Sequence, residues 1–218
     1  MWTYHNERGG RMEQNFNRVM LCGQAADEPH LSHINHGESF YKFTLSVPRL
    51  SGQTDDLPVI LPRSLLWETP VGERDTVSLT GQLRSFNNKS GEGRRLVISV
   101  FAQQLAITQD PPENRIQISG VICKPPILRR TPLGREICDV ILAVNRRYGR
   151  ADYLPCIAWG AVAQHAADLT VGQRLTAEGR VQSRTYTKMV SGGTEERVAY
   201  EVSIMRPADA AEFQQDEA

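Results

Sequence analysis

Tyr153 and Trp159 stand in the run Ala151-Asp152-Tyr153-Leu154-Pro155-Cys156-Ile157-Ala158-Trp159, and Arg180, Arg184 and Tyr186 stand at even positions of a second run, residues 173–187. If each run is a β-strand, side chains alternate across the sheet, so Tyr153, Pro155, Ile157 and Trp159 share one face. Arg180, Gln182, Arg184 and Tyr186 likewise share a face, with Leu175, Ala177, Gly179 and Val181 turned to the opposite, core-facing side. Aromatic rings beside guanidinium groups are suited to a single nucleic-acid strand: a ring stacks on a base for about 1–3 kcal/mol, and the cations take phosphates and add cation–π contact. A further ring, Tyr148, follows Arg146 and Arg147, with Arg150 close behind. The candidate stacking residues are thus Tyr148, Tyr153, Trp159 and Tyr186. The candidate phosphate contacts are Arg130, Arg135, Arg146, Arg147, Arg150, Arg180, Arg184 and Lys188. Trp159 or Tyr153 taken singly could equally fill a core; the set with its arginines favours a binding surface.

The elements that must position these residues occur twice. Asn17-Arg18-Val19-Met20-Leu21-Cys22-Gly23 answers to Asn114-Arg115-Ile116-Gln117-Ile118-Ser119-Gly120, 97 positions on (115 minus 18). Tyr41, Phe43, Leu45 and Val47 answer to Cys138, Val140, Leu142 and Val144, each set apolar at period two as a half-buried strand requires. Beyond a shift of a few residues, Gly81-Gln82-Leu83 meets Gly179-Arg180-Val181. Each copy reads as five strands and one short helix. In the second, the strands are expected at about 114–123, 135–145, 151–159, 173–187 and 196–205. Val162, His165, Ala166 and Leu169 mark the helix and Gly172 ends it. Three strands, a helix and two more strands closed on a small core describe an OB-fold, so the predicted class is all-β, two tandem OB-fold barrels.

Domain limits follow. Residues 1–13 are a polar extension expected to be disordered, with Met12 the expected start of the folded protein. Residues 14–110 form a degenerate OB-fold, 111–207 the second OB-fold, and 208–218 a short acidic tail expected to fray. Asp110-Pro111-Pro112 is a short stiff linker that should hold the barrels close.

Composition restricts the function classes. No apolar run approaches a membrane span and no apolar N-terminal stretch suits a signal peptide. Cys22, Cys123, Cys138 and Cys156 form no CxxC pair and read as small buried thiols in a reducing cytoplasm. The 25 basic and 25 acidic residues cancel, yet between positions 124 and 150 seven cations face only Glu136 and Asp139. His30, His33 and His36 lie in what reads as a hairpin loop without a carboxylate or cysteine at ligand spacing, so no metal is expected. Gly-rich phosphate loops, HExxH and GxSxG are missing, so neither catalysis, a cofactor nor a small-molecule substrate is expected.

The second copy closely resembles the bacterial single-stranded DNA-binding protein (SSB) family over about residues 114–206. The resemblance rests on Thr131-Pro132-Leu133-Gly134-Arg135, Leu142-Ala143-Val144-Asn145-Arg146-Arg147, Cys156-Ile157-Ala158-Trp159-Gly160, residues 178–187 and the closing Tyr200-Glu201-Val202. It implies non-catalytic, largely sequence-independent binding of single-stranded DNA in replication, repair or recombination, in the bacterial cytoplasm with the nucleoid. The family's four stacking positions fall on Tyr148, Tyr153, Trp159 and Tyr186. In the first copy they fall on Ser51, Asp56, Pro62 and, within a residue, Asn88, which offer no ring. That copy keeps Arg84, Lys89, Arg94 and Arg95 as secondary, weak DNA contacts, and its Phe86 either packs in the core, the preferred reading, or stacks. Its role by this reading is support and assembly. The family's four-barrel assemblies imply a homodimer, and replication or repair proteins are possible partners, although the family's long Gly-rich tail is missing here. Two other readings stand beside this one: a primosome-like accessory that acts mainly through protein contacts, and an RNA-binding module, since a ring face does not tell ribose from deoxyribose.

Overall fold

The computed structural model describes residues 16–88, 96–146, 149–190, 193–208 and 212–213. In the first copy, β1 (Phe16–Ala25), β2 (His30–Asn35), β3 (Glu38–Pro48) and β4 (Thr54–Pro62) lead into α1 (Arg63–Glu68), followed by β5 (Thr76–Asn87) and β6 (Leu96–Ile107). The second repeats the order with β7 (Glu113–Ile122), β8 (Ile127–Arg130), β9 (Glu136–Asn145), β10 (Ala151–Trp159), α2 (Ala161–Ala167), β11 (Arg174–Val190) and β12 (Gly193–Pro207). Each barrel therefore has six strands where five were expected. The additions, β2 and β8, are exposed along their whole length, so no apolar alternation marks them in the sequence. Pairing with β3 and β9 makes them strands, which puts His30 and His33 on a strand and only His36 in a turn.

Alternation builds the cores as the period-two pattern requires. Phe43, Leu45 and Val47 of β3 and Val140, Leu142 and Val144 of β9 are buried, while the residues between them face outward. The first barrel closes where β1 meets β3 at Ala25 and Leu45 and where β4 runs parallel to β6 at Val59 and Val100. The second closes alike, β7 with β9 at Ile122 and Leu142, and β10 with β12 at Cys156 and Val202. At the bulges that bend β5 and β11, Gly81 and Gly179 lie so near the facing strand that a Cβ would come within 2.2 Å of the Phe101 or Ser203 carbonyl oxygen. Only glycine fits there, which is why the two copies share it.

Strand pairing, more than the linker, joins the barrels. β1 pairs antiparallel with β7 from Phe16–Ser119 to Cys22–Glu113, making one twelve-stranded sheet among the described residues. Val19 lies opposite Ile116, its own counterpart 97 positions on (116 minus 19), so a pseudo-twofold axis passes between them. Symmetry about that axis is carried into a pair of interlocks. At the start of β4, the fully buried Asp55 carboxylate accepts the Ser183 N–H of β11 at 2.7 Å. Arg49 donates to Asp55 through Nε at 2.7 Å and to the Ser183 carbonyl at 3.0 Å. In the reverse direction, the buried Asp152 accepts the Ser85 N–H at 2.5 Å, and Arg146 donates to Asp152 at 2.6 Å and to the Ser85 carbonyl at 2.9 Å. Each barrel thus inserts a hairpin end against a long strand of the other. A buried carboxylate held by both a guanidinium and an N–H is satisfied, and removing a partner would leave an uncompensated charge.

The last described residues also differ from the expected frayed tail. Glu212 pairs with Arg206 at 2.8 Å, and Phe213 is buried with its ring 5.1 Å from that of Phe16. No helix among the described residues is long and apolar enough to cross a membrane.

Candidate nucleic-acid interface

On the outward face of β10, Tyr153 and Trp159 are exposed by 48% and 36%, while Asp152, Leu154, Cys156 and Ala158 of the opposite face are buried. The alternation has the phase that the sequence reading assumed. The Trp159 indole N–H donates to Ser203 Oγ on the neighbouring β12 at 3.1 Å. That bond fixes the ring's orientation without covering its face. Arg180 of β11 pairs across to Ser203 in register, and its Nε is buried without a hydrogen-bond partner among the described residues. Further along β11, the Arg184 guanidinium lies 5.6 Å from the centre of the Tyr186 ring and 3.6 Å from Glu201.

These side chains open onto a groove of about 1100 Å³. Trp159, Arg135, Arg180 and Arg184 line it, joined by Ile157, Thr131 and Met205 of the same barrel. Arg129, not among the candidate contacts, also lines it and is tied to Asp139, whose hydrogen bond raises the guanidinium's pKa further. Arg135 and Arg180 have no counter-ion among the described residues. The groove therefore offers an open indole face flanked by two unpaired cations, with Glu201 its only acidic wall residue among the described residues.

The remaining candidates are dispersed. Tyr153 and Tyr186 lie outside the groove wall, as do Arg130, which pairs with Glu136 at 3.1 Å, and the exposed Arg150 and Lys188. Arg146 corrects the expectation of a phosphate contact: Asp152 and the Ser85 carbonyl take its donors, so it locks the barrels together. Arg84 is corrected in the same way, bonding Asp152 at 3.2 Å, and burial pushes its pKa down despite that partner. Arg147, Tyr148, Lys89, Arg94 and Arg95 lie outside the described residues. In the first barrel Ser51 is exposed in a turn, and Asp56 holds the Ser46 hydroxyl at 2.6 Å. Pro62 is half-buried, as is Asn88, so no ring stands at any of these four places. Phe86, expected in the core, is instead 52% exposed. His33 lies flat on Phe40 with ring centres 5.0 Å apart.

Sequence reasoning missed Arg49, Gln53 and Thr54 of the first copy, which complete the wall of the second barrel's groove. A signal existed in the repeat itself: Arg49 and Asp55 precede Arg146 and Asp152 by the same 97 positions (146 minus 49), a charged pair kept in both copies.

Taken together, two closed six-strand barrels with an aromatic and cationic groove define a tandem OB-fold binder. Across both barrels the fold is similar to that of the wild-type single-stranded DNA binding protein from Thermus aquaticus, with a TM-score of 0.70, 21% identity, and 89% of this chain and 93% of that one covered. At that identity the likeness is one of fold. A profile of the single-strand binding protein family matches residues 113–207, the second barrel and its first strand onward. "Single-stranded DNA-binding protein 2" of Listeria innocua is 34% identical over 110 residues, which are 45% of this chain and 68% of that protein. "Single-stranded DNA-binding protein A" of Bacillus subtilis is 35% identical over 80 residues, 34% of this chain and 46% of its own length. The chain belongs to the single-strand binding protein family.

Proposed function

We propose that this protein binds single-stranded DNA without catalysis and with little sequence preference, using the groove of its second barrel. The observation that carries this reading is the exposed Trp159 face, oriented by Ser203 and flanked by the unpaired Arg135 and Arg180. A base stacks on the indole and the guanidinium groups take adjacent phosphates, a combination that follows a flexible single strand and is denied to a stacked duplex. Tyr153 and Tyr186 extend the stacking path beyond the groove, and Arg184 presents its charge beside the Tyr186 ring. Lys188, Arg150 and Arg130 supply weaker phosphate attraction from exposed positions. The same binding serves DNA replication, repair or recombination in a bacterial cytoplasm, with two chains assembling four barrels.

Titration of a fluorescently labelled oligodeoxynucleotide tests the reading. Single strands should bind more tightly than duplex, with affinity falling steeply as salt rises. A folded Trp159→Ala protein that binds DNA as tightly as the parent would overturn it. Tighter binding to the matching oligoribonucleotide would instead make the protein an RNA binder, and micromolar or weaker binding to both strands would favour a role in holding other proteins.

A further inference from the structure

The second barrel's groove has one wall that does not belong to the second barrel. Gln53 and Thr54, at the β3–β4 turn of the first copy, line it opposite Ser183, Arg184 and Thr185. We infer that the single-strand site is shared between the two barrels, with Gln53 and Thr54 contacting bound DNA. This rests on the groove being the single-strand site proposed above.

Three features of the turn fit it for contact. Both side chains are exposed, and an amide and a hydroxyl can donate to phosphate or sugar oxygens as well as accept from base edges. Gln53 receives Arg49 Nη1 on its Oε1 at 3.3 Å, which leaves its amide N–H groups to donate into the groove. The turn is also held rigidly where the groove needs it. Asp55, next to Thr54, is buried and accepts the Ser183 N–H, while Arg49 grips both Asp55 and the Ser183 carbonyl. The wall is therefore fastened to β11 at the residue preceding Arg184, one of the groove's own cations.

Ser64 of α1 supplies a control. It is exposed on the same barrel as Thr54, lines a separate hollow with Trp67 and does not line the second barrel's groove. A charge at position 64 therefore alters the net charge as a charge at 54 does, but away from the indole.

The experiment compares full-length Thr54→Glu, Thr54→Lys, Ser64→Glu and Trp159→Ala in titrations with a labelled oligodeoxythymidylate at low and high salt. Thr54→Glu should weaken binding roughly five- to tenfold at low salt and Thr54→Lys should tighten it by a similar factor, both shrinking as salt rises. Ser64→Glu should change affinity by less than about twofold, since its charge stands away from the groove. The reversal of sign at position 54 separates contact with DNA from damage to the fold. Equal weakening by Thr54→Glu and Ser64→Glu, or weakening by Thr54→Lys, would overturn the shared site. No change at position 54 while Trp159→Ala weakens binding would overturn it too and leave the groove reading standing. If Trp159→Ala also changes nothing, the groove reading falls and takes the shared site with it.

Discussion

In the second barrel, β10 ends in Trp159, whose ring is pinned by Ser203 and flanked by Arg180; in the first, the equivalent β4 ends in Pro62. The inward neighbours of these positions remain apolar in both copies, Leu57, Val59 and Leu61 in one and Leu154, Cys156 and Ala158 in the other. The interlocking pairs Arg49–Asp55 and Arg146–Asp152 are likewise kept. The difference in stacking capacity between the barrels thus lies in outward-facing side chains, while the inward ones change only from one apolar residue to another. Inward positions answer to packing density, which tolerates little change, whereas an outward residue of a strand costs the fold almost nothing to replace. Duplication supplied two scaffolds, and only one kept its rings.

If scaffold and surface are separable in this way, the largest effect should be symmetric. Asp55→Ala and Asp152→Ala should each lower stability by about 2–3 kcal/mol, because each leaves a partly buried guanidinium and a buried N–H without the carboxylate. Urea denaturation of the two variants measures this, and a loss confined to one would break the symmetry of the interlock. The next effect should be one-sided. Trp159→Ala should cost about 1–3 kcal/mol of DNA affinity by loss of one stacked base, while Pro62→Ala at the matching place leaves affinity unchanged. Fluorescence anisotropy with a single-stranded oligonucleotide distinguishes them.

Cations sharpen the contrast further. Removal of the unpaired Arg180 should reduce the slope of log affinity against log salt by about 0.7, the value for one phosphate of a single strand. Arg84→Ala should leave the slope alone, since that guanidinium serves Asp152, and should appear in a denaturation curve instead. The smallest effect concerns Cys156, which stands where the first barrel has Val59. Burial pushes the Cys156 thiol far above its ordinary value of 9.0, so the folded state keeps it neutral. Its contribution to stability is complete below about pH 9 and is lost as pH rises and the unfolded chain's thiol ionises. Stability measured from pH 8 to 10 should therefore fall more in the parent than in Cys156→Val, and equal slopes would remove the thiol from the account.

Most of the scaffold was legible because period-two alternation is written directly into a chain: the phase that buries Phe43 and Val140 also turns Trp159 and Arg180 outward. β2 and β8 were hidden because all their residues face solvent, which leaves no apolar pattern to read. Arg146 and Arg84 were misassigned for a related reason. A basic residue in a cationic stretch looks the same whether it faces phosphate or a buried carboxylate, and Asp152 lies six positions from one and sixty-eight from the other (152 minus 146, 152 minus 84). Phe86 was placed inward by its apolar character, yet it falls on the outward phase of β5 with Gln82 and Arg84, between which Leu83 is buried.

The sequence by itself determined the duplication, the barrel class, the core faces and the asymmetry of aromatic residues, because each is a matter of residue type at fixed local spacing. Tertiary structure alone decided which cations remain free, that the two barrels share one sheet across Val19 and Ile116, and that Gln53 and Thr54 reach the second barrel's groove. The joined sheet and the shared groove depend on contacts between residues far apart in the chain, 97 positions (116 minus 19) for Val19 with Ile116 and 128 for Asp55 with Ser183, and a buried ion pair can form only where the folded chain brings both charges out of water together.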